Sequence, residues 1–332
     1  MIDQQRVLVT GGCGFIGSNM TNLLLQKGYM VTVIDDLSNS YHLPIKHPNL
    51  NFINANISQS ALIKKILSEQ HFEAIFYFSA SIESKISMEN PAFYLRNNVI
   101  NALNFLEIVL ATQSQTNFIF SSTAAVYKSK NELIKEDDEK QPENVYGKTK
   151  LFIEQVLEDY GKIHGLKYAI LRYFNACGAD IENKLGENRK YETHLIPLLM
   201  RSMVRKDYDF SIYGNNYKTP DGTCIRDYVH VKDIALAHLA MMEFLPTAPN
   251  AHYCYNIGSA QGYSVLEIVE KAVALTKLNF NIKYKSPRAG DPDCLVASNQ
   301  KIAKELKWQP LYSDLDNIID SAWQWEKFLL KN

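Results

Sequence analysis

The stretch over residues 7–18, which reads VLVTGGCGFIGS, constrains the fold of this chain more than any other. Its first three residues are apolar and predict a buried strand, and an amphipathic helix is expected to begin near Phe15. Between the two lie Gly11, Gly14 and Gly17, each three residues from the next. Glycines at this spacing allow a tight turn, a close approach of the backbone to a pyrophosphate, and close packing of helix on strand. The start of the helix would offer unpaired N–H groups and a partial positive charge to phosphate oxygens.

The acid that ends the second apolar run indicates which dinucleotide is bound. Asp35 follows the run at 30–34, and its carboxylate can accept hydrogen bonds from both hydroxyls of an adenosine ribose. Asp36 adds a second negative charge, which would repel a 2′-phosphate. The sequence therefore predicts a dinucleotide site that prefers NAD to NADP.

Short apolar runs alternate with helical patterns up to about residue 175. This alternation predicts βαβ units and a Rossmann-like α/β fold, a doubly wound parallel sheet with helices on both faces. The strands are predicted at 6–10, 30–34, 51–54, 74–78, 117–121 and 167–172, and the helices at 16–27, 59–70, 91–112 and 145–163. We therefore expect an NAD-binding domain over 1–175.

Beyond residue 175 the elements become shorter and more mixed, which predicts a smaller C-terminal α/β lobe that binds the substrate over 176–332. Segments such as 226–258 are expected to return to the first domain. Helical spacing recurs at 194–203, 231–245, 264–277, 298–307 and 313–329, a strand is expected near 280–285, and short mixed elements are expected at 210–214, 222–231 and 255–258.

Composition and charge exclude several classes of function. The net charge is −1, and no run of Lys and Arg with interleaved aromatics indicates nucleic-acid binding. No run of eighteen apolar residues predicts a membrane span, and the start MIDQQR lacks the pattern of a signal peptide, so we expect a cytoplasmic protein. The five cysteines are widely spaced and the eight histidines show no ligand spacing, so buried thiols and no metal site are expected.

Tyr146 and Lys150 are four residues apart in a predicted helix and therefore project from one face of it. A tyrosine is a weak base at neutral pH because its usual pKa is about 10. The Lys150 ammonium, and the positive charge of an oxidised nicotinamide, would both favour the tyrosinate. Thr123 follows a neighbouring strand and could hydrogen-bond the reacting hydroxyl. Such a pair is also typical of an amphipathic surface helix, but the dinucleotide-binding half ahead of it favours the catalytic interpretation.

Nearly the whole chain resembles the extended short-chain dehydrogenase/reductases and, among them, the UDP-glucose 4-epimerase family. The resemblance rests on segments that occur in the same order: TGGCGFIGS, FSSTAAVY, YGKTK, LRYFNACGAD, HLIPL, DGTCIRDYVHV, YNIGS, RAGD and LKWQP. The segment DGTCIRDYVHV is the most specific, since sister families diverge there. The resemblance implies NAD as a tightly held cofactor, a UDP-sugar substrate, and a homodimer formed through the helices near 91–112 and 145–163.

The same resemblance implies a role for each matching residue. The catalytic set is Thr123, Tyr146 and Lys150. The cofactor contacts are Gly11, Gly14, Phe15, Ile16, Gly17, Asp35, Asn39, Ile57, Asn97, Tyr146 and Lys150, with Ile57 beside the adenine. The substrate contacts are Thr123, Asn175, His194, Leu195, Tyr213, Arg226, Arg288, Asp291 and Leu295. Among these, Tyr213 corresponds to the uracil contact, the two arginines to diphosphate contacts, Asp291 to a residue near the ribose and Leu295 to a wall of the sugar pocket.

The chain departs from the family pattern at several positions. Asn56 stands where members often have Asp, Tyr77 where many have His, and Ile82 where many have a Lys near the nicotinamide. Sister dehydratases have an acid pair at the position of Ala124 and Ala125, so nothing here is placed to protonate a departing hydroxyl.

Three readings of the function follow. The first is a UDP-hexose 4-epimerase acting on UDP-glucose and UDP-galactose through a 4-keto intermediate. The second is a 4-epimerase of UDP-N-acetylhexosamine or another UDP-sugar, because Leu295 is smaller than the tyrosine that members confined to the plain hexoses have there. The third is a non-catalytic sensor of NAD or a nucleotide sugar.

Overall fold

The computed structural model describes residues 5–41, 44–113, 115–205, 210–278, 282–288 and 291–331. The chain divides into two compact units. The first comprises Met1–Tyr127, Glu139–Arg172 and Ala235–Tyr255, and the second comprises Lys128–Asp138, Tyr173–Ile234 and Asn256–Asn332. No helix among the described residues combines the length and the apolar character that crossing a membrane requires.

The strands are β1 (Arg6–Thr10), β2 (Met30–Asp35), β3 (Leu50–Asn54), β4 (Ala74–Tyr77), β5 (Asn117–Thr123), β6 (Lys167–Tyr173), β7 (Asn175–Cys177), β8 (Phe210–Tyr213), β9 (Ile225–His230), β10 (His252–Ile257), β11 (Gly262–Ser264), β12 (Ile282–Lys285) and β13 (Cys294–Leu295). The helices are α1 (Phe15–Gln26), α2 (Ser60–Glu69), α3 (Ser84–Glu89), α4 (Pro91–Tyr94), α5 (Asn101–Thr112), α6 (Val145–His164), α7 (Leu195–Val204), α8 (Val231–Phe244), α9 (Val265–Thr276), α10 (Gln300–Leu306) and α11 (Leu315–Lys331). A π-helical segment, Leu95–Ile100, joins α4 to α5.

The first unit is built on a seven-stranded sheet with the order β10-β6-β5-β4-β1-β2-β3. β1 is an inner strand and pairs in parallel with β2 and β4, with Val7 opposite Val31 and Ala74. Val7, Leu8 and Val9 are fully buried, which explains the unbroken apolar run of this strand. The order β3-β2-β1-β4-β5-β6 is that of a doubly wound dinucleotide-binding sheet, so the predicted fold class is confirmed.

The second unit contains two small sheets. One has the order β11-β9-β13, with β7 also paired to β9, and the other pairs β12 with β8. The helices α7, α9 and α11 close over an apolar core that includes Leu199, Ile268 and Ile319. The strand expected near 280–285 is present over Ile282–Lys285, while residues 280 and 281 lie outside the described part of the chain.

The helix expected over 91–112 is not a regular α-helix, because the π-helical segment interrupts it. In that segment Asn98 is buried, and its Nδ2 donates to the Ser81 carbonyl oxygen at 2.8 Å and to Thr149 Oγ1 at 3.2 Å. Asn98 therefore lies in the interior of the first unit and does not face solvent. A π segment widens the helix by one residue per turn, which here presents a polar side chain to the interior.

Candidate active site

The turn between β1 and α1 is so tight that a side chain at Gly11 or Gly17 would collide with nearby backbone atoms. Gly11 has φ of +71°, and a Cβ there would lie 3.0 Å from the backbone of Phe78 and Ser79. A Cβ on Gly17 would lie 2.1 Å from the Gly11 carbonyl oxygen. Gly14 is the N-cap of α1 and has no side chain to cap it, so the first N–H groups of α1 are open to an anion. Of the two residues that follow, Phe15 is buried and Ile16 half-buried.

Asp35 ends β2 beside this turn. Its carboxylate oxygens accept hydrogen bonds from the backbone N–H groups of Cys13 at 2.9 Å and Leu37 at 2.8 Å. Burial raises the pKa of Asp35, while those two hydrogen bonds lower it. Each oxygen retains a further lone pair, so the same carboxylate can also accept from ribose hydroxyls.

The neighbouring Asp36 accepts from Asn56 Nδ2 at 2.5 Å and from the backbone N–H of Ser38 at 2.9 Å. Asn56 therefore pairs with the acid that follows β2, whereas an aspartate at position 56 would repel that acid. Asn39 donates to Glu83 at 3.1 Å, and Ile57 belongs to the apolar core of the first unit.

The π-helical segment fixes the loop that follows β4. Asn97 Nδ2 donates to Ser81 Oγ at 3.0 Å, and Asn98 Oδ1 accepts from the Ser81 backbone N–H at 2.9 Å. Two adjacent asparagines thus hold one serine through its side chain and its backbone. The only sign in the sequence is a pair of poor helix formers inside a helical pattern.

α6 presents Tyr146 and Lys150 next to the end of β5. Its N-cap, Asn144, accepts from the Gly147 N–H at 2.8 Å, and a Cβ on Gly147 would lie 2.3 Å from the Ala125 carbonyl oxygen. The backbone N–H of Tyr146 donates to Ser87 Oγ at 3.1 Å. Ser87 belongs to α3, a short helix that the sequence analysis missed, so α3 supports the first turn of α6.

Lys150 is 3% exposed, and its Nζ donates to the Ser121 carbonyl oxygen at 2.8 Å. The ammonium also lies 4.9 Å from the centre of the Phe120 ring. Burial lowers the pKa of Lys150 to about 7, and the nearby Glu154 carboxylate opposes that shift. Thr123 is buried at the end of β5, where its Oγ1 accepts from the Ala125 N–H at 3.1 Å. The first unit therefore carries the three residues expected to be catalytic on α6 and at the end of β5, the strand to which Lys150 is hydrogen-bonded.

In the second unit, the residues expected to contact a nucleotide form two pairs. Arg226 donates from Nη2 to Asp291 Oδ1 at 2.5 Å, and it lies opposite Leu295 where β9 pairs with β13. The Arg288 guanidinium lies 4.3 Å from the centre of the Tyr213 ring. A guanidinium fork suits phosphate oxygens and also stacks on aromatic rings. Residues 289 and 290 of the RAGD segment lie outside the described residues.

His194 precedes α7, and its Nδ1 lies 3.0 Å from Glu187 Oε1 and 3.0 Å from Glu192 Oε1. Burial lowers the pKa of His194, but the charge of Glu187 and the hydrogen bonds to Glu187 and Glu192 together outweigh it and raise that pKa to about 9. The imidazole is therefore a cation at neutral pH. Leu195, the first residue of α7, is half-buried.

The two glutamates were missed in the sequence because they lie in a charged stretch without periodicity. The three side chains come within 4.8 Å of one another, close enough to hold a metal ion. Arg189 pairs with Glu187 at 2.7 Å and Arg201 lies 3.9 Å from Glu192, so the carboxylates already have cationic partners. Asn175 donates to the Asp227 carbonyl oxygen at 2.9 Å.

Comparisons with known proteins agree with this geometry. A model of the NAD dependent epimerase/dehydratase family matches residues 7–258. The chain is 39% identical to a UDP-glucose 4-epimerase of Rhizobium meliloti (strain 1021) over 325 residues, 98% of each chain. It is also similar to the UDP-glucose 4-epimerase from Brucella ovis in complex with NAD, with a TM-score of 0.89 and 39% identity over 96% of this chain and 98% of that one.

A second similar structure is the UDP-Glc/GlcNAc 4-epimerase from Campylobacter jejuni, with a TM-score of 0.83 and 36% identity over 98% of this chain and 99% of that one. The resemblance inferred from the sequence is thereby confirmed. The chain belongs to the NAD dependent epimerase/dehydratase family.

Proposed function

We propose that this protein is an NAD-dependent isomerase that inverts C4 of a UDP-hexose, interconverting UDP-glucose and UDP-galactose through a 4-keto intermediate. The observation that carries the proposal is the placement of Tyr146 and Lys150, which α6 holds against the end of β5 in a unit built to bind a dinucleotide. The relatives described above support the same reaction.

The glycine turn and Asp35 fit NAD. The turn has no room for side chains at Gly11 and Gly17, so backbone N–H groups can approach a pyrophosphate closely. Asp35 provides a ribose acceptor, and together with Asp36 it disfavours a 2′-phosphate. When bound, NAD supplies a hydride acceptor that can return the hydride to the sugar.

Tyr146 acts as the base that takes the proton of the sugar 4-hydroxyl and later gives it back. Lys150 stabilises the tyrosinate by its positive charge and is held in place by the Ser121 carbonyl oxygen. Thr123 orients the reacting hydroxyl by a hydrogen bond. In the second unit, Arg226, Arg288 and the His194 cation supply positive charge for a diphosphate.

One residue, Leu295, favours the second candidate function, a 4-epimerase of UDP-N-acetylhexosamine or another UDP-sugar. Leu295 is 9% exposed and lies beside Arg226 in the register of β9 with β13. A leucine leaves more space than a tyrosine, so a 2-acetamido group could be accepted. We therefore expect activity on the plain hexoses with appreciable activity on the N-acetylated pair.

A third candidate, a sensor without catalysis, has no need of a general base, and Thr123, Tyr146 and Lys150 count against it. One experiment separates the three: purified protein is incubated with UDP-galactose, and separately with UDP-N-acetylgalactosamine, without added NAD. Formation of UDP-glucose supports the first, product from the N-acetylated donor alone supports the second, and no product from either supports the sensor.

Tyr146→Phe is the matched control for that experiment. We expect it to retain NAD and to lose about 10²–10⁴-fold in turnover, as removal of a general acid–base does. NAD content is measured by denaturing the purified protein and assaying the supernatant. Turnover close to that of the unaltered protein would remove Tyr146 from the mechanism.

The protein is proposed to act as a homodimer in the cytoplasm. Apolar side chains are exposed on α3, α4, the π-helical segment and α6, among them Met88, Phe93, Leu95 and Phe152. Clusters of exposed apolar side chains are typical of association surfaces. All five cysteines are free thiols, which suits a reducing compartment.

A further inference from the structure

A buried ion pair lies one helical turn beyond Lys150. Glu154 accepts hydrogen bonds from Arg172 Nε at 2.9 Å and Nη2 at 2.6 Å, so the pair is bidentate. Glu154 is 4% and Arg172 3% exposed, which places both charges out of water. A single buried charge is costly without a partner, so removing either residue would leave the other without its main hydrogen-bonded partner.

The pair is tied to the strand that anchors Lys150. Ser122 Oγ donates to Glu154 Oε1 at 2.5 Å, and the preceding residue, Ser121, accepts from Lys150 Nζ through its carbonyl oxygen. Two consecutive residues of β5 therefore hold two residues of α6 that are one turn apart. Arg172 Nη1 also donates to the Tyr127 hydroxyl at 2.5 Å, which ties β6 to the same cluster.

We propose that Glu154 is a positioning residue for Lys150: held by Ser122 and Arg172, it fixes this turn of α6 on β5 and keeps a negative charge beside the lysine ammonium. Residues four apart on a helix are neighbours, and the charge of Glu154 raises the pKa of Lys150. The inference rests on the proposed function, in which Lys150 acts as a cation.

The other ionisable groups around this cluster do not replace Glu154. Tyr146 lies on the same helix, Arg172 on β6, Tyr127 after β5, and Cys254 on β10 is close enough to affect the pKa of Arg172. Burial raises the pKa of Tyr127 far above its usual value, so its hydroxyl stays neutral. Although burial lowers the pKa of Arg172, its hydrogen bonds to Glu154 and the charges of the groups around it together raise that pKa, and the guanidinium stays charged.

The test compares the titration of Lys150 in the NAD-saturated protein and in Glu154→Gln. The amine is followed by the ¹³Cε signal of labelled lysine, which is assigned by its loss in Lys150→Met. Removing the carboxylate leaves Arg172 uncompensated, so we expect the midpoint to fall by about one pH unit or more. The basic limb of the kcat–pH profile should move to lower pH by the same amount.

Glu158→Gln is the matched control, since it removes a solvent-exposed carboxylate one turn further along α6. It should leave both the midpoint and the basic limb in place. If Glu154→Gln is too unstable to isolate, Arg172→Gln is used instead. It leaves the Glu154 carboxylate without its guanidinium partner, so the titration midpoint of Lys150 should rise rather than fall. In Glu154→Gln/Arg172→Gln the midpoint should return towards that of the unaltered protein.

The inference is overturned if Lys150 titrates with the same midpoint in the unaltered protein and in the single variant that can be isolated, Glu154→Gln or Arg172→Gln. If the unaltered protein converts no UDP-sugar while the midpoints shift as expected, the proposed function fails and the role of Glu154 towards Lys150 stands. If conversion is normal and the midpoints coincide, the inference alone fails.

Discussion

In the NAD-free protein, burial of Lys150 disfavours the charged form of its side chain. Because burial lowers its pKa from the usual 10.5 to about 7, folding favours release of its proton. Between these two values the unfolded chain binds more protons than the folded one. The free energy of unfolding should therefore rise with pH in this range, with a slope from this group that approaches 1.4 kcal/mol per pH unit, about the cost of one pKa unit.

Lys150→Met tests this expectation, since methionine fills similar space without the charge. The free energy of unfolding of both NAD-free proteins is measured by urea titration at pH 7, 8 and 9. As the pH rises, that of the unaltered protein should increase relative to that of the variant. Parallel dependence of the two proteins on pH would show that Lys150 keeps its proton in the folded state.

Leu295 is the residue on which substrate range is expected to depend. Replacement by tyrosine should exclude the acetamido group and spare the plain hexose, because the resemblance places this residue at a wall of the sugar pocket and the added ring would take up space there. A difference of this size is worth about 1–3 kcal/mol, so a shift in preference is expected rather than a strict switch. The measurement is kcat/KM for UDP-galactose and UDP-N-acetylgalactosamine in both proteins, and an unchanged ratio would show that Leu295 does not limit the pocket.

At the scale of elements, the start of α6 depends on the contact of Gly147 with the turn after β5. Gly147→Ala would place a methyl group 2.3 Å from the Ala125 carbonyl oxygen and 3.0 Å from Pro142 Cβ. The first turn of α6, which carries Tyr146, must then move. We expect kcat to fall by about 10²-fold, since a shift near 1 Å has that effect on reacting groups.

Gly165→Asn, at the C-cap of the same helix, is the control for that variant. The glycine there has φ of +70°, a Cβ on it would meet no other atom within 4 Å, and asparagine tolerates this backbone conformation. The variant should retain kcat. Equal activity of both variants would show that the N-terminal contact of α6 does not position Tyr146.

The elements that could be predicted from the sequence are those whose burial leaves a pattern. The buried middle of β1, residues 7–9, and the whole of β4 are apolar because both faces of the sheet are covered, and the expected bounds of both strands agree with the structure within a residue. The π-helical segment and α3 could not be predicted, because their stability comes from partners far along the chain. Asn98, for example, bonds with Thr149, 51 residues away.

The distance along the chain between partners also explains which parts of the candidate site could be predicted from the sequence. The glycine turn and the Tyr146–Lys150 spacing are local, so they are visible as motifs. Glu154 and Arg172 are 18 residues apart, in a helical pattern and in an apolar run, and neither pattern indicates that they pair. The roles of Arg226 and Arg288 came from resemblance, and the stacking of Arg288 on Tyr213 joins two segments that are far apart in the sequence.

At the scale of the whole molecule, the exposed apolar side chains of the first unit are expected to be covered by a second copy of the chain. Phe152 on α6 is 46% exposed, and Phe93 on α4 is 44% exposed. Dimers of identical chains are most often two-fold symmetric, so a substitution at such a face enters the interface twice. Phe152→Glu would therefore bring two buried carboxylates into one interface, which is strongly unfavourable.

We expect the unaltered protein to be dimeric in light scattering and sedimentation at micromolar concentration, and Phe152→Glu to be largely monomeric with its NAD retained. Leu311→Glu is the control, because Leu311 is 70% exposed and belongs to the second unit, whereas the helices expected to form the interface belong to the first. It should stay dimeric, since a charge on a free surface disturbs nothing. A monomeric unaltered protein, or a dimeric Phe152→Glu, would mean that these helices do not form the contact.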